Sequence, residues 1–294
     1  PMTQGKRRSQ SPNPKSMTTH NATLPKLLAI CADDFGQSQA ISDAIAYLAQ
    51  QRRINAVSCM TNAPYWKQSV SAAKQFPKTV GIGLHLNLTE GRPLSPELAR
   101  IWPRLPTLPT LMARAHLGLI PQAAVSCEIR AQWAAFVQDT GAQPMYVDGH
   151  QHVHQFPGVR SALLATFDQL KVKPAVRNTA QLIGPGFAFK RWVIHHTGAR
   201  QLRVQLQQRK LPHNTVLMGA YDFKSTNYRT LMQAWLAVLP SPGGLLFCHP
   251  GHAGTRFAAD LIGLARQREF SYLASEDFTQ DLASANVTLV RTWQ

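Results

Sequence analysis

Aspartate and histidine recur at the ends of apolar runs in this 294-residue chain. CADDFGQS (31–38), GLHLNLTEG (83–91), YVDGHQHVH (146–154) and LLFCHPGH (245–252) share that shape. Polar side chains at the ends of several separate strands are how a barrel-type enzyme assembles one site from distant segments. Carboxylates and imidazoles in that arrangement point to a metal-dependent hydrolase.

The four segments carry different weight. Side chains alternate along a strand, so Asp33 and Asp34 face different ways. One can bind a metal while the other takes a proton; a helix-capping acid is the plainer reading. His85, alone in an apolar strand, reads by itself as a core histidine. His150, His152 and His154 are spaced by two and would share a face in an extended segment. Asp148 precedes them, placed to accept the second N–H of a metal-bound imidazole. His249, before Pro250, is a candidate proton donor. His252 reads as a helix N-terminal residue or a substrate contact. Competing motifs are missing: GPGF at 184–187 has neither the P-loop lysine nor dinucleotide-binding spacing, and no GxSxG or HExxH occurs.

The elements that must position these residues alternate. Strands are expected near 27–34, 56–62, 80–89, 146–149, 174–179, 215–221, 244–250 and 287–293. Helices are expected at 39–51, after Pro64, at 123–140, from Pro157 to about 170, across 186–210 and at 227–239. Strands alternating with helices of ten or more residues imply βα units and a parallel sheet. A single irregular (β/α) barrel over 25–294 is the expected fold, and a doubly wound open sheet the second choice. Residues 90–121 break the rhythm with six prolines. This Pro-rich insertion after the third strand reads as a lid whose LMARAHLGLI part forms a short amphipathic helix; a lipid contact is the alternative.

ADDFG after the first strand, GLHLNLTEGRPL after the third, VDGHQHVHQFP after a later one and the closing LLFCHPGH together resemble the YdjC-type carbohydrate deacetylases, with chitooligosaccharide and hopanoid-associated branches. The resemblance runs from about Leu27 to about His252. It implies an irregular (β/α) barrel, metal ligands at Asp34, His85 and His150, a catalytic base at Asp33 and a general acid at His249. Asp148, His152, His154, Arg177 and His252 are left as supporting or substrate-contacting residues. The chain departs from some members at Gly149, where they have Ser, and at Gln151, where they have His. The implied cofactor is a divalent metal cation. Family members are described with magnesium, whereas two imidazoles and a carboxylate suit zinc.

Charge bears on the partner. The formal net charge is +16, of which Lys6, Arg7, Arg8 and Lys15 of the tail at 1–24 supply four, leaving +12. Residues 160–210 hold ten Lys or Arg against Asp168 alone, or +9. Such a field attracts polyanions or anionic membranes. With the implied chemistry, it suggests an N-acetylated amino sugar, either an oligosaccharide or a lipid-phosphate-linked form met at the inner face of the cytoplasmic membrane. The tail is polar and basic, Met17 would serve as a first residue, and no apolar run reaches transmembrane length, so a cytoplasmic location is expected. A homodimer is allowed for. A metal phosphoesterase is the rival enzyme, although the chain has only 15 Asp and Glu. A nucleic-acid-binding protein is the rival binding module; no nucleic-acid motif supports it, and nucleic acid is not the expected partner. Cys31, Cys59, Cys127 and Cys248 form no CxxC pair, so neither a zinc ribbon nor disulfides are expected.

Overall fold

The central strand, β1 (Lys26–Phe35), is a nearly unbroken apolar run, KLLAICADDF, buried from Leu28 onward. A strand covered on both faces takes that composition. This computed structural model describes residues 24–253 and 260–291. Except for Leu24, the expected basic tail lies outside the described residues, as do the last two positions of the expected final strand.

Along the chain, β1 leads to α1 (Gln39–Gln50), β2 (Ala56–Cys59), α2 (Trp66–Ala73) and β3 (Gly81–Leu86). The insertion holds α3 (Pro96–Ile101) and α4 (Leu108–His116), followed by α5 (Gln122–Thr140). Next come β4 (Tyr146–Gly149), α6 (Val159–Leu170), β5 (Ala175–Val176), α7 (Ala188–Ile194), α8 (Arg200–Gln208) and β6 (Leu217–Met218). The chain continues through α9 (Tyr228–Val238), β7 (Gly243–Cys248), α10 (Gly263–Ala274), α11 (Glu276–Ser284) and β8 (Val287–Leu289). Side-chain caps start α1, α3 and α9. Ser38 Oγ accepts from Ile41 N at 3.2 Å to cap α1, whose Ile41, Ala44, Ile45 and Leu48 then recur on its buried face. Ser95 caps α3 in the same way.

All strand pairs are parallel, in the order β5-β4-β3-β2-β1-β7-β6, with β8 beside the start of β1. The chain therefore forms a barrel-like parallel α/β fold rather than a doubly wound sheet. Closure between β5 and β6 is partial: isolated bridges Val176–His213 and Leu182–Leu217 span the seam in place of a ladder. The C-terminal ends of the strands converge on one cleft, where barrel enzymes place their chemistry.

Two local expectations are corrected. The first concerns Asp33 and Asp34, which do not simply alternate. The register of β1 against β2 shifts between Ala32 and Phe35, and Asp34 adopts a left-handed backbone, φ 72°. This bulge re-aims the side chains so that both carboxylates line the same cleft. Asp tolerates that conformation better than bulkier residues. The second concerns His150, His152 and His154, which are not on an extended face. His150–Gln155 is a 3-10 turn with Gln151 and His152 at φ 53° and 60°, so the three rings point to different neighbours. At Gly149, a Cβ would come within 2.8 Å of both the backbone N and ring Nδ1 of His154. A serine there would require this turn to shift.

Candidate active site

Asp34, at the end of β1, His85 on β3 and His150 just after β4 bring their ligand atoms within 4.8 Å of one another. All three are buried. Asp34 Oδ1 is the shared focus, 2.9 Å from His150 Nδ1 and 3.4 Å from His85 Nε2. Each far atom is held as well. Asp34 Oδ2 accepts from Arg266 Nη2 at 2.8 Å. His85 Nδ1 meets Asp148 Oδ1 at 2.6 Å, across the β3–β4 pair that sets His85 opposite Asp148. His150 Nε2 meets Glu90 Oε1 at 2.9 Å. Metal-binding imidazoles are oriented by partners of this kind.

The electrostatics follow from these contacts. Burial alone would raise the pKa of Asp34, but Arg266 and His150 outweigh it and hold the carboxyl well below its usual range. Burial opposes protonation of the two rings, yet Asp148 and Asp33 raise His85 to about 10, and Asp34 with Glu90 raises His150 to about 9. Both rings are thus set in a strongly anionic cradle. A divalent cation fits this donor set of one carboxylate and two oriented imidazoles.

Beneath the cradle lies a polar plug. Arg177, which follows β5, is fully buried. It donates from Nη1 and Nη2 to the two oxygens of Asp33, 2.6 Å each, and pairs with Asp148 at 2.6 Å. Ser58 donates to Asp148 Oδ2 at 2.6 Å. Cys31, Asp33 and Asp148 form a second cluster of metal-type donors. Arg177 already supplies the positive charge there, with its Nη2 3.3 Å from Cys31 Sγ. Burial pushes the Cys31 thiol well up, so it stays protonated. The four cysteines are free thiols.

The remaining histidines separate by environment. His249, after β7, is half-buried against Phe223 and Phe247 and lines the cleft. Burial lowers its pKa to about 4, against the pull of Asp34 and Asp33. Its Nδ1 is sheltered and has no hydrogen-bond partner among the described residues. Its backbone N donates to buried Glu269. His152 lies edge-on to Phe247, with a pKa lowered by burial and Arg177. His154 Nε2 bonds Arg177 O at 2.9 Å and supports the loop from beneath. His252 is exposed and packs edge-on to Phe270 at the cleft margin.

A cavity of about 1350 Å³ opens above the cradle. Asp33, Asp34, His85, Glu90, His150 and His249 line its floor. Its upper walls come from the insertion (Leu105, Leu108, Met112), from α7 (Phe189, Lys190) and from Leu261 and Leu264. The insertion therefore stands over the cleft mouth, in the place of a lid.

The profile of the YdjC-like protein family matches residues 27–284. The chain belongs to the YdjC family. It is 30% identical over 198 residues to a carbohydrate deacetylase of Danio rerio, an alignment covering 63% of this chain and 58% of that protein. It is also 30% identical over 161 residues to a chitooligosaccharide deacetylase of Proteus mirabilis (strain HI4320), covering 51% and 58%. The chain thus spans under two thirds of the length of these curated relatives. A crystal structure of an Enterococcus faecalis V583 protein, described as a candidate cellobiose-phosphate cleavage protein, superposes with a TM-score of 0.68 at 20% identity. That match covers 90% of this chain and 97% of the other, and it supports the fold.

Sequence reasoning missed Glu90, Arg266, Gln37, Ser58 and Glu269. Glu90 had a local signal, an acid in the LTEG turn directly after the strand of His85. Arg266 had none, because it reaches Asp34 from 232 residues away.

Proposed function

We propose that the chain is a metal-dependent N-deacetylase that hydrolyses the acetamido group of an N-acetylated amino sugar. The observation that carries this reading is the Asp34–His85–His150 cradle beside a separate carboxylate, Asp33, on the floor of a sugar-sized cleft. The named activities of the YdjC-family relatives support it.

A divalent cation held by those three side chains would supply Lewis acidity, lowering the pKa of a water from about 15.7 towards about 7 and polarising the amide carbonyl. Asp33 serves as the base that takes the proton of the attacking water. Arg177 keeps both Asp33 oxygens in register and keeps that carboxylate apart from the ligand carboxylate, Asp34. His249 serves as the acid that protonates the departing amine. Its low pKa leaves it neutral at first, so the proton it gives the amine is the one Asp33 has taken from the attacking water, passed on as the amine nitrogen becomes basic. Once charged, it is a strong donor.

The carrier is a finer proposal. The cleft mouth carries Phe189 at 77% exposure and Leu261 at 97%. No acid occurs from 182 to 214, where Lys190, Arg191, Arg200, Arg203, Arg209 and Lys210 lie. Apolar and basic groups together favour a lipid-phosphate-linked sugar and peripheral contact with an anionic membrane. No helix among the described residues is long and apolar enough to cross a membrane. The test is acetate release from free and lipid-linked N-acetyl sugars, with and without chelator. Full activity after metal removal would sink the mechanism. Preference for soluble oligosaccharides, with no salt-sensitive flotation on anionic vesicles, would sink the carrier. Sedimentation on the same preparation tests the expected homodimer.

A further inference from the structure

Five side chains close a ring around half of the cradle. Asp34 Oδ1 meets His150 Nδ1 at 2.9 Å, and His150 Nε2 meets Glu90 Oε1 at 2.9 Å. Gln37 Nε2 donates to Glu90 Oε2 at 2.7 Å, while Gln37 Oε1 accepts from Arg266 Nη2 at 3.0 Å. Arg266 Nη2 returns to Asp34 Oδ2 at 2.8 Å. Within this ring Glu90 differs from the other groups that hold ligands. Asp148 and Arg266 are buried, whereas the Glu90 side chain is 43% exposed and belongs to the first turn of the insertion.

We propose that Glu90 is a positioning residue that makes Nδ1 the metal-facing nitrogen of His150, with Gln37 holding Glu90 in place. The inference rests on the metal reading of the cradle. A neutral imidazole carries its proton on either nitrogen, and the hydrogen bond at one nitrogen decides which lone pair the other presents. A carboxylate at Nε2 keeps the proton there and leaves Nδ1 for the cation. His85 has the reverse arrangement: Asp148 takes Nδ1, and Nε2 faces Asp34. The two rings therefore ligate through opposite nitrogens, each assigned by its own carboxylate.

The backbone delivers Glu90 to this place. Asn87 Oδ1 accepts from Thr89 N and Glu90 N, 3.1 Å each, and Asn87 Nδ2 donates to Glu90 O at 2.9 Å. Gln132 on α5 binds Asn87 at its backbone N and O. Gln132 also donates to Glu128 Oε1, and Glu128 accepts from the insertion backbone at Leu94 and Ser95. The turn is thus anchored to a long helix, and Glu90 links the insertion to the cradle.

The test uses the full chain and Zn²⁺, with affinity measured by competition against a chromophoric chelator. Glu90→Ala should bind about 10- to 100-fold more weakly, the usual cost of losing an outer partner. Glu90→Gln should recover part of that loss, since its amide oxygen still accepts from Nε2–H without the charge. Metal-free melting temperatures should match wild type, which separates positioning from folding. In long-range ¹H–¹⁵N spectra of the zinc form, His150 should carry its proton on Nε2 and His85 on Nδ1. An affinity within twofold of wild type for Glu90→Ala, or a His150 proton on Nδ1, would overturn the assignment. Wild type that binds no zinc, or His150→Ala that binds it unchanged, would instead overturn the metal reading beneath it.

Discussion

The floor and the rim of the cleft are built on opposite principles. On the floor, Asp34, His85, His150 and Asp148 each have two or more partners at 2.6–3.4 Å, supplied by β1, β3, β4, α10, the Glu90 turn and Arg177 after β5. On the rim, Phe189, Leu261 and Leu264 are 71–97% exposed, and they lie on α7, just before α10 and on its first turn rather than on the sheet. Chemistry that needs placement within fractions of an ångström sits on rigid strand ends, while substrate choice is left to surfaces that can vary without disturbing it.

Four changes would break or sharpen that contrast. The largest effect is expected for Asp34→Ala, which removes a ligand and strips Arg266 of its main partner. Zinc affinity should fall well beyond the roughly 100-fold that loss of an outer partner costs, as read by metal content after desalting. Next, Asp33→Asn should lower kcat by about 10²–10⁴ with metal content near wild type. Loss of the metal instead would exchange the roles of the two aspartates.

A third change reaches just behind the floor. Burial pushes Glu269 from an ordinary 4.5 up to about 7. A carboxyl raised in the folded state favours folding fully below its unfolded pKa, and that contribution is lost as pH rises through about 7. Glu269→Gln removes this dependence. Its stability to urea should therefore gain on wild type between pH 4.5 and 7, by on the order of 3 kcal/mol at the upper end. Parallel stability curves for the two proteins would refute the assignment. The smallest effect belongs to the rim: Phe189→Ala should leave stability within about 0.5 kcal/mol and kcat unchanged, while raising KM for substrates with an apolar carrier. A kcat loss there would show that the rim takes part in the chemistry.

The four Asp/His segments lie where the alternating apolar runs put them, at strand ends on one side of a parallel barrel, because period and turn residues are local properties. The aim of each side chain was less visible. DGHQHVH reads as an extended triplet, yet the close approach of Gly149 to His154 folds it into a turn and leaves His150 alone in the cradle. Arg177, after the fifth strand, is legible as a supporting or substrate-contacting residue, but not as the partner of two aspartates. Its place between Asp33 and Asp148 depends on β1, β4 and β5 lying at their particular distances. The partial seam between β5 and β6 also had no signal, since a two-residue strand is too short for a pattern.

By itself the sequence determined the order of the elements, the family and the kinds of groups available for chemistry, all of which follow from spacing and composition along the chain. Only the tertiary structure decided which groups share a partner. Asp34 receives Arg266 from α10, His85 receives Asp148 across a strand pair, and His150 receives Glu90 from the insertion. Those contacts depend on distances through space between residues up to 232 positions apart, and on burial that strengthens each charge interaction once water is excluded.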